Sequence, residues 1–142
     1  MTPFPTKSCY ADDERGSAMK KIGYLFVDCE DARTREHCKA QKLKRLKEFF
    51  LELGIQDAVI YIDEVPDGET QQRPCLVELL SAIKSSPTEI FVVTGIFELG
   101  NDFIECLNTL KILSSHNVRI FMIDNNIDTA CIQAHAAKIH EP

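Results

Sequence analysis

The chain has 142 residues, a 44% hydrophobic composition and a formal net charge of −6. That length and hydrophobic content predict one domain with its own core. No apolar run reaches the ~18 residues that a spanning helix needs, and no signal-peptide pattern opens the chain, so we expect a soluble cytoplasmic protein without membrane attachment. The acidic balance argues against tight DNA binding, because basic side chains on phosphates supply most of that affinity.

Residues 1–18 have no periodicity, contain two prolines and mix both charges, which predicts a disordered leader before a domain spanning residues 19–142. Four short apolar runs follow and predict strands: Ile22–Val27, Ala58–Ile62, Ile90–Val93 and Val118–Ile123. Runs that are apolar on both faces are typical of a parallel sheet buried under helices.

Three helical patterns alternate with these strands. The first has an apolar face and ends at Gly54; the second begins near Pro74; the third carries a stripe at Phe103, Leu107, Leu110 and Leu113. A last weak helix is predicted at Thr129–Ile139. The alternation predicts an α/β three-layer sandwich, with a mainly parallel sheet of four to five strands flanked by helices. The segment after Asp128 is too short for a helix-turn-helix, so no C-terminal DNA-binding domain is expected.

The six cysteines show no C-x-x-C spacing. Cys29, Cys75 and Cys106 lie in or beside apolar segments, so reduced core thiols are favoured over disulfides or a zinc site. Acids follow several predicted strands, including Asp28, Asp63 and Asp124, and could hold Mg²⁺ or accept a phosphoryl group. That pattern leaves a metal or phosphoacceptor domain open as an alternative.

Segment 61–124 contains, in order, YIDEVPDGETQQRPCLVELLSAIK, EIFVVTGIFELGND and NVRIFMIDNNIDT. Each piece resembles a stretch of the resolvase/invertase family of serine recombinases. In that family a strand ends in Asp, Arg-Pro opens a helix, a strand runs into Asp-Arg-Leu-Gly-Arg, and another runs into Gly-Ile-Asp-Thr. The resemblance covers about residues 20–128 and implies the fold of a resolvase catalytic domain.

The resemblance also implies an active site that has been rewritten. The family's first strand reads Tyr-x-Arg-Val-Ser, whereas this chain has Phe26 in place of the arginine and Asp28 in place of the nucleophilic serine. An aspartate cannot form the phosphoserine link, and its charge repels the scissile phosphate. In the second motif Phe97, Glu98 and Asn101 replace the aspartate and both arginines.

Two positions match the family pattern. Gln41 aligns with a glutamine of the first helix and Arg73 with the arginine of Arg-Pro. A solvent-facing helix residue is the competing interpretation of Gln41. For Arg73, the alternatives are a retained anion site or an ion pair with an acid. We expect Phe26 and Phe97 to fill the former phosphate site, with Arg73 bound to Asp28 or Glu98.

These features favour a catalytically inactive relative that serves as an interaction or regulatory module and binds DNA weakly at most. Its expected partner is a second copy or another protein, and neither cofactor nor metal is expected. The alternatives are an active recombinase with a rearranged site, in which Cys29 could supply a thiol, or the metal/phosphoacceptor domain. Lys39, Lys42, Lys44, Arg45 and Lys47 could touch phosphate, although a solvated helix face is favoured.

Overall fold

The computed structural model describes residues 6–7, 19–28, 31–64, 73–85 and 87–129, and every structural statement below concerns these residues. The strands are β1 (Thr6–Lys7), β2 (Lys20–Val27), β3 (Val59–Glu64), β4 (Thr88–Val93), β5 (Arg119–Met122) and β6 (Ile127–Asp128). The α-helices are α1 (Ala32–Glu52), α2 (Pro74–Ile83) and α3 (Phe103–Ser115), and a 3-10 helix covers Ile96–Leu99.

The sheet has the order β1-β3-β2-β4-β5-β6. Its four longer strands pair in parallel, which confirms the predicted parallel centre, and the two-residue β6 pairs antiparallel with β5. Within the segment predicted to be a leader, Thr6–Lys7 pairs in parallel with β3 at one edge. The other leader residues and the predicted helix after Thr129 lie outside the described part of the chain.

Helices cover the sheet on both faces, as the α/β sandwich prediction requires. α1 lays Leu46 and Phe50 on one face, over Leu25 and Ile60 among others. α2 and α3 cover the opposite face. α1 ends where the sequence predicts, because Gly54 follows it at φ +76°, a conformation that glycine adopts without steric cost. Pro74 is the first residue of α2, where its missing N–H costs no helical hydrogen bond.

The predicted stripe of α3 is partly wrong. Phe103 and Leu107 are exposed, and the helix buries Cys106, Thr109 and Leu113. The small Cys106 and Thr109 let the helix approach the preceding turn closely, and the Thr109 hydroxyl donates to the Leu99 carbonyl at 3.0 Å. The small residues of the helix therefore face the preceding turn, and the larger apolar side chains Phe103 and Leu107 lie on the outer side.

The thiols of Cys75 and Cys106 are reduced and buried in the core. Cys75 Sγ donates to the Ile62 carbonyl, and burial raises the pKa of the Cys106 thiol. Both are therefore small core residues, as predicted. Cys29 lies outside the described residues. No helix of the described chain is long and apolar enough to cross a bilayer.

Candidate functional site

Arg73 lies at the entrance to α2, at the carboxyl edge of the sheet. Its guanidinium stacks on the buried Phe26 ring, 3.6 Å from the ring centroid. Nη1 donates to the Glu98 carbonyl, and Nη2 donates to the Gly100 carbonyl at 2.9 Å. Nη2 and Nε also donate to Asn101 Oδ1, at 3.1 and 3.3 Å. Every guanidinium nitrogen of Arg73 thus donates to an oxygen of the protein itself.

The Glu98 carboxylate lies beside this arginine and is bound by two other groups. Its side chain is only 11% exposed, and Oε1 accepts the Phe26 backbone N–H at 2.7 Å. Oε2 pairs with Lys42 Nζ, also at 2.7 Å, and the same ammonium donates to the Phe26 carbonyl at 2.8 Å. The ion pair therefore satisfies both polar groups of the Phe26 backbone and neutralises the buried acid.

Two further ion pairs flank the Lys42–Glu98 pair along the same edge. Lys39 pairs with Glu64 at the end of β3, and Arg45 pairs with Asp124 just after β5. The basic residues are spaced by three along α1, and their acids follow the order of the strands across the sheet. The ion pairs therefore cover the edge where ligands usually bind in parallel α/β sheets.

The basic face of α1 is partly solvated and partly paired. Lys39, Lys42 and Arg45 each pair with an acid of the sheet edge, and the Arg45 side chain remains 43% exposed. Lys44 is exposed on the same helix. The spacing of these basic residues in the sequence predicts that they lie on one side of α1. It does not predict which acids they face.

A buried polar pair anchors α2 to the sheet. Asp63 at the end of β3 accepts the Tyr24 hydroxyl at 2.8 Å, and also the backbone N–H groups of Cys75 and Leu76, at 2.9 and 3.1 Å. Burial, and secondly the negative charge of Asp63, raise the pKa of Tyr24 well above its ordinary value. Tyr24 is therefore a neutral hydrogen-bond donor, and Asp63 caps a helix from a neighbouring strand.

The turn after the 3-10 helix needs glycine for space. A Cβ on Gly100 would lie 2.6 Å from the Cβ of Glu105 and 2.8 Å from the Cys106 nitrogen. That close approach brings the Gly100 carbonyl and Asn101 within reach of Arg73. The Leu-Gly pair that the sequence shares with the recombinase motif thus shapes the backbone that Arg73 binds.

The structure brings four of the sequence-predicted residues together, namely Phe26, Arg73, Glu98 and Asn101. Arg73 contacts Glu98 through the main-chain carbonyl, whereas the expectation was an ion pair with Asp28 or Glu98. Asp28 ends β2 and is exposed, and Gln41 is an exposed residue of α1.

The expectation that Phe97 fills the former phosphate site is wrong, because its side chain is 61% exposed. Phe97 lies in the 3-10 helix, where the next two residues, Glu98 and Leu99, turn inward and are buried. Phe26 alone supplies the aromatic ring of the site, under Arg73.

From the sequence, Lys42 was predicted only as part of a basic helix face, and Asp63 only as an acid at the end of a strand. The signal for Lys42 was Glu98 itself, since an acid beside a buried strand end requires a cation. The described residues hold no cluster of three or more His, Cys, Asp or Glu side chains arranged to bind a metal ion. Asp63 and Asp124, considered above as metal ligands or phosphoacceptors, bind donors of the protein, as does the neighbouring Glu64.

The family model described as Resolvase, N terminal domain matches residues 22–136, and the chain therefore belongs to the resolvase N-terminal domain family. No curated protein sequence matches the chain. Among solved structures, the chain is similar to the N-terminal catalytic domain of TP901-1 integrase, with a TM-score of 0.58 and 14% identity over 85% of this chain and 100% of that one.

Two other structures share the fold. A resolvase family site-specific recombinase from Streptococcus pneumoniae has a TM-score of 0.54 and 14% identity, covering 84% of this chain and 87% of that one. The C-terminal catalytic domain of ISC1926 TnpA, an IS607-like serine recombinase, has a TM-score of 0.54 and 15% identity, with coverage of 72% and 67%. Identities this low show a shared fold, which confirms the resolvase-like architecture.

Proposed function

We propose that this serine recombinase-like domain, related to site-specific recombination, has lost DNA cleavage and acts as an interaction or regulatory module. The observation that carries the proposal is the state of Arg73. Phosphoryl transfer needs positively charged groups directed at the transferring phosphate. Arg73 instead stacks on Phe26 and donates through each nitrogen to oxygens of its own chain.

The remaining groups of the site support the same conclusion. Glu98 places a carboxylate where the family motif has an arginine, and Lys42 is occupied in pairing with it. Asp28 offers no serine hydroxyl for attack. Because the chain carries a net charge of −6, we propose that DNA binds weakly and without sequence preference, with a dissociation constant of roughly 10⁻⁴ M or weaker at physiological salt.

We expect the purified protein to form no covalent adduct with supercoiled plasmid DNA and to leave the plasmid unnicked. The variant Asp28→Ser restores a hydroxyl but leaves Phe26, Glu98 and Asn101 in place, so it should be equally inactive. Denaturing gels and plasmid topology report both results. Nicking by the native chain that is lost in Asp28→Ala or Cys29→Ala would instead favour an active recombinase with a rearranged site.

The outer side of α3 supports the interaction role. Four large apolar side chains there and on the adjoining 3-10 helix are between 42% and 69% exposed: Phe97, Phe103, Ile104 and Leu107. Soluble monomers seldom expose apolar groups of this size so close together, and such patches commonly mark contact surfaces.

A second copy of the chain is the occupant we propose for this surface. Asp102 and Glu105 lie at the N-terminal end of α3, whereas Lys111 lies two turns further along. Two copies of α3 packed antiparallel about a two-fold axis near Leu107 would bring Lys111 of each copy towards the acidic end of the other. The same axis would bury the apolar side chains against each other.

We expect the native protein to sediment as a dimer and Ile104→Glu to sediment as a monomer with unchanged circular dichroism. Ile104 is 69% exposed, so the substitution spares the core while placing a charge in the proposed contact. Gln41→Glu, an exposed change on α1 at the opposite face of the sheet, is the control and should remain dimeric. A native protein that is monomeric at all concentrations, or a dimer that Ile104→Glu leaves intact, contradicts the assignment.

We propose a cytoplasmic location as well. The support for it is chemical: Cys75 and Cys106 are reduced thiols in the core, as is usual for proteins of reducing compartments.

A further inference from the structure

The Glu98 carboxylate has the surroundings of a bound ligand. A protein that binds a small carboxylate typically offers a backbone N–H and a cationic side chain to its two oxygens. Glu98 receives the same pair, with the Phe26 N–H at 2.7 Å from Oε1 and Lys42 Nζ at 2.7 Å from Oε2. The donors come from β2 and α1, and the carboxylate comes from the short 3-10 helix after β4.

The donors are also held in place independently of Glu98. The Phe26 N–H belongs to a central strand, and Phe26 is in register with Asp63 of β3, so the sheet sets the position of its backbone. Lys42 Nζ has a second acceptor in the Phe26 carbonyl at 2.8 Å, which keeps the ammonium beside that N–H. A receptor built from a central strand and a helix keeps its geometry when its ligand is removed.

We infer that Phe26 N–H and Lys42 Nζ form a carboxylate-binding site that the chain's own Glu98 occupies. The site takes planar two-oxygen anions, and in the native chain the tethered Glu98 excludes free ligands by its high effective concentration. The inference rests on the contacts of Glu98 alone and stands whether or not the protein cleaves DNA.

Chemical rescue tests this site. Glu98→Ala removes the γ-carbon and the carboxylate, which together have the shape of acetate, and leaves the Phe26 N–H and the Lys42 ammonium facing the vacated space. We expect the melting temperature of the variant to fall by about 5–10 °C. Sodium acetate in the millimolar range should restore at least half of that loss, because a ligand that binds only the folded state stabilises it.

Four controls test whether the acetate response comes from this site. Sodium chloride at equal ionic strength and acetamide, the neutral isostere of acetate, should restore little. The native protein should show no response to acetate beyond that to chloride, since Glu98 fills the site. The double variant Glu98→Ala with Lys42→Ala should lose the acetate response, because one of the two donors is gone.

Equal recovery with acetate and chloride, or an acetate response that survives in the double variant, would overturn the inference. If Glu98→Ala is unfolded in chloride, refolding from denaturant replaces the melt. Recovery of the folded fraction that requires acetate supports the site, and absence of recovery at every acetate concentration counts against it. Plasmid cleavage is a separate readout, so failure of the proposed function and failure of this site are distinguishable.

Discussion

We expect Arg73→Ala to lower the free energy of unfolding by about 3 kcal/mol. The substitution removes the guanidinium from the face of Phe26 and leaves the carbonyls of Glu98 and Gly100 without their donor. Arg73→Lys should lose most of the same stability, because an ammonium cannot reproduce the planar fork that serves three acceptors. Urea denaturation monitored by circular dichroism measures both changes.

Arg33→Ala is the control for this prediction, since Arg33 is an exposed arginine in the first turn of α1. That variant should remain within ~0.5 kcal/mol of the native protein. A stability loss for Arg73→Ala no larger than that of the control would show that Arg73 does not hold the 3-10 helix to the sheet. The proposed loss of DNA cleavage would then lose the observation that supports it.

Two of the residues that hold Arg73 stand at positions where this chain departs from the family motifs. Phe26 supplies a ring on which Arg73 stacks, and Asn101 supplies a side-chain oxygen that Arg73 binds. Both residues stand where the family motifs have arginines, which would repel Arg73 unless an anion lay between them. In this chain the guanidinium of Arg73 contacts a ring and an oxygen of the chain itself at those positions.

Much of the fold could be predicted from the sequence. The four longer strands overlap their predicted apolar runs, and Gly54 and Pro74 mark the helix boundaries as expected. Parallel strands that are buried on both faces occur in the sequence as continuous apolar runs. Glycine and proline mark the ends of helices because they change the local backbone geometry. The rotation of α3 was not predictable in this way, because its buried face packs against a turn whose close approach depends on Gly100, with a hydrogen bond from Thr109 to the Leu99 carbonyl.

The candidate site was harder to predict than the fold. The positions of Phe26, Glu98 and Asn101 followed from motif alignment, yet their partners did not. Lys42 is 56 residues from Glu98 along the chain, and only the packing of α1 across the sheet edge brings them together. The exposure of the Phe97 side chain could not be predicted either. Its apolar character favours burial, whereas the 3-10 helix directs it outward.

We expect Asp63→Ala to have the largest effect of any single substitution considered, a loss of about 3–5 kcal/mol of unfolding free energy. Asp63 is 2% exposed, and its carboxylate accepts three hydrogen bonds from buried donors. Its removal takes this acceptor away from the buried Tyr24 hydroxyl and from the first N–H groups of α2. The N-terminus of α2, with Arg73 beside it, should then show faster amide hydrogen exchange than α3.

Two variants test whether the stability loss of Asp63→Ala comes from the buried hydrogen-bond network. Tyr24→Phe removes one donor and leaves the helix cap intact, so its loss should be smaller, about 1 kcal/mol. Asp57→Ala removes an exposed acid that pairs with Lys21 at 3.4 Å and should change stability by less than ~1 kcal/mol. If Asp63→Ala is no worse than Asp57→Ala, the strand-to-helix cap contributes nothing. The attachment of α2 would then depend on its apolar face alone, through Leu76, Leu79 and Ile83.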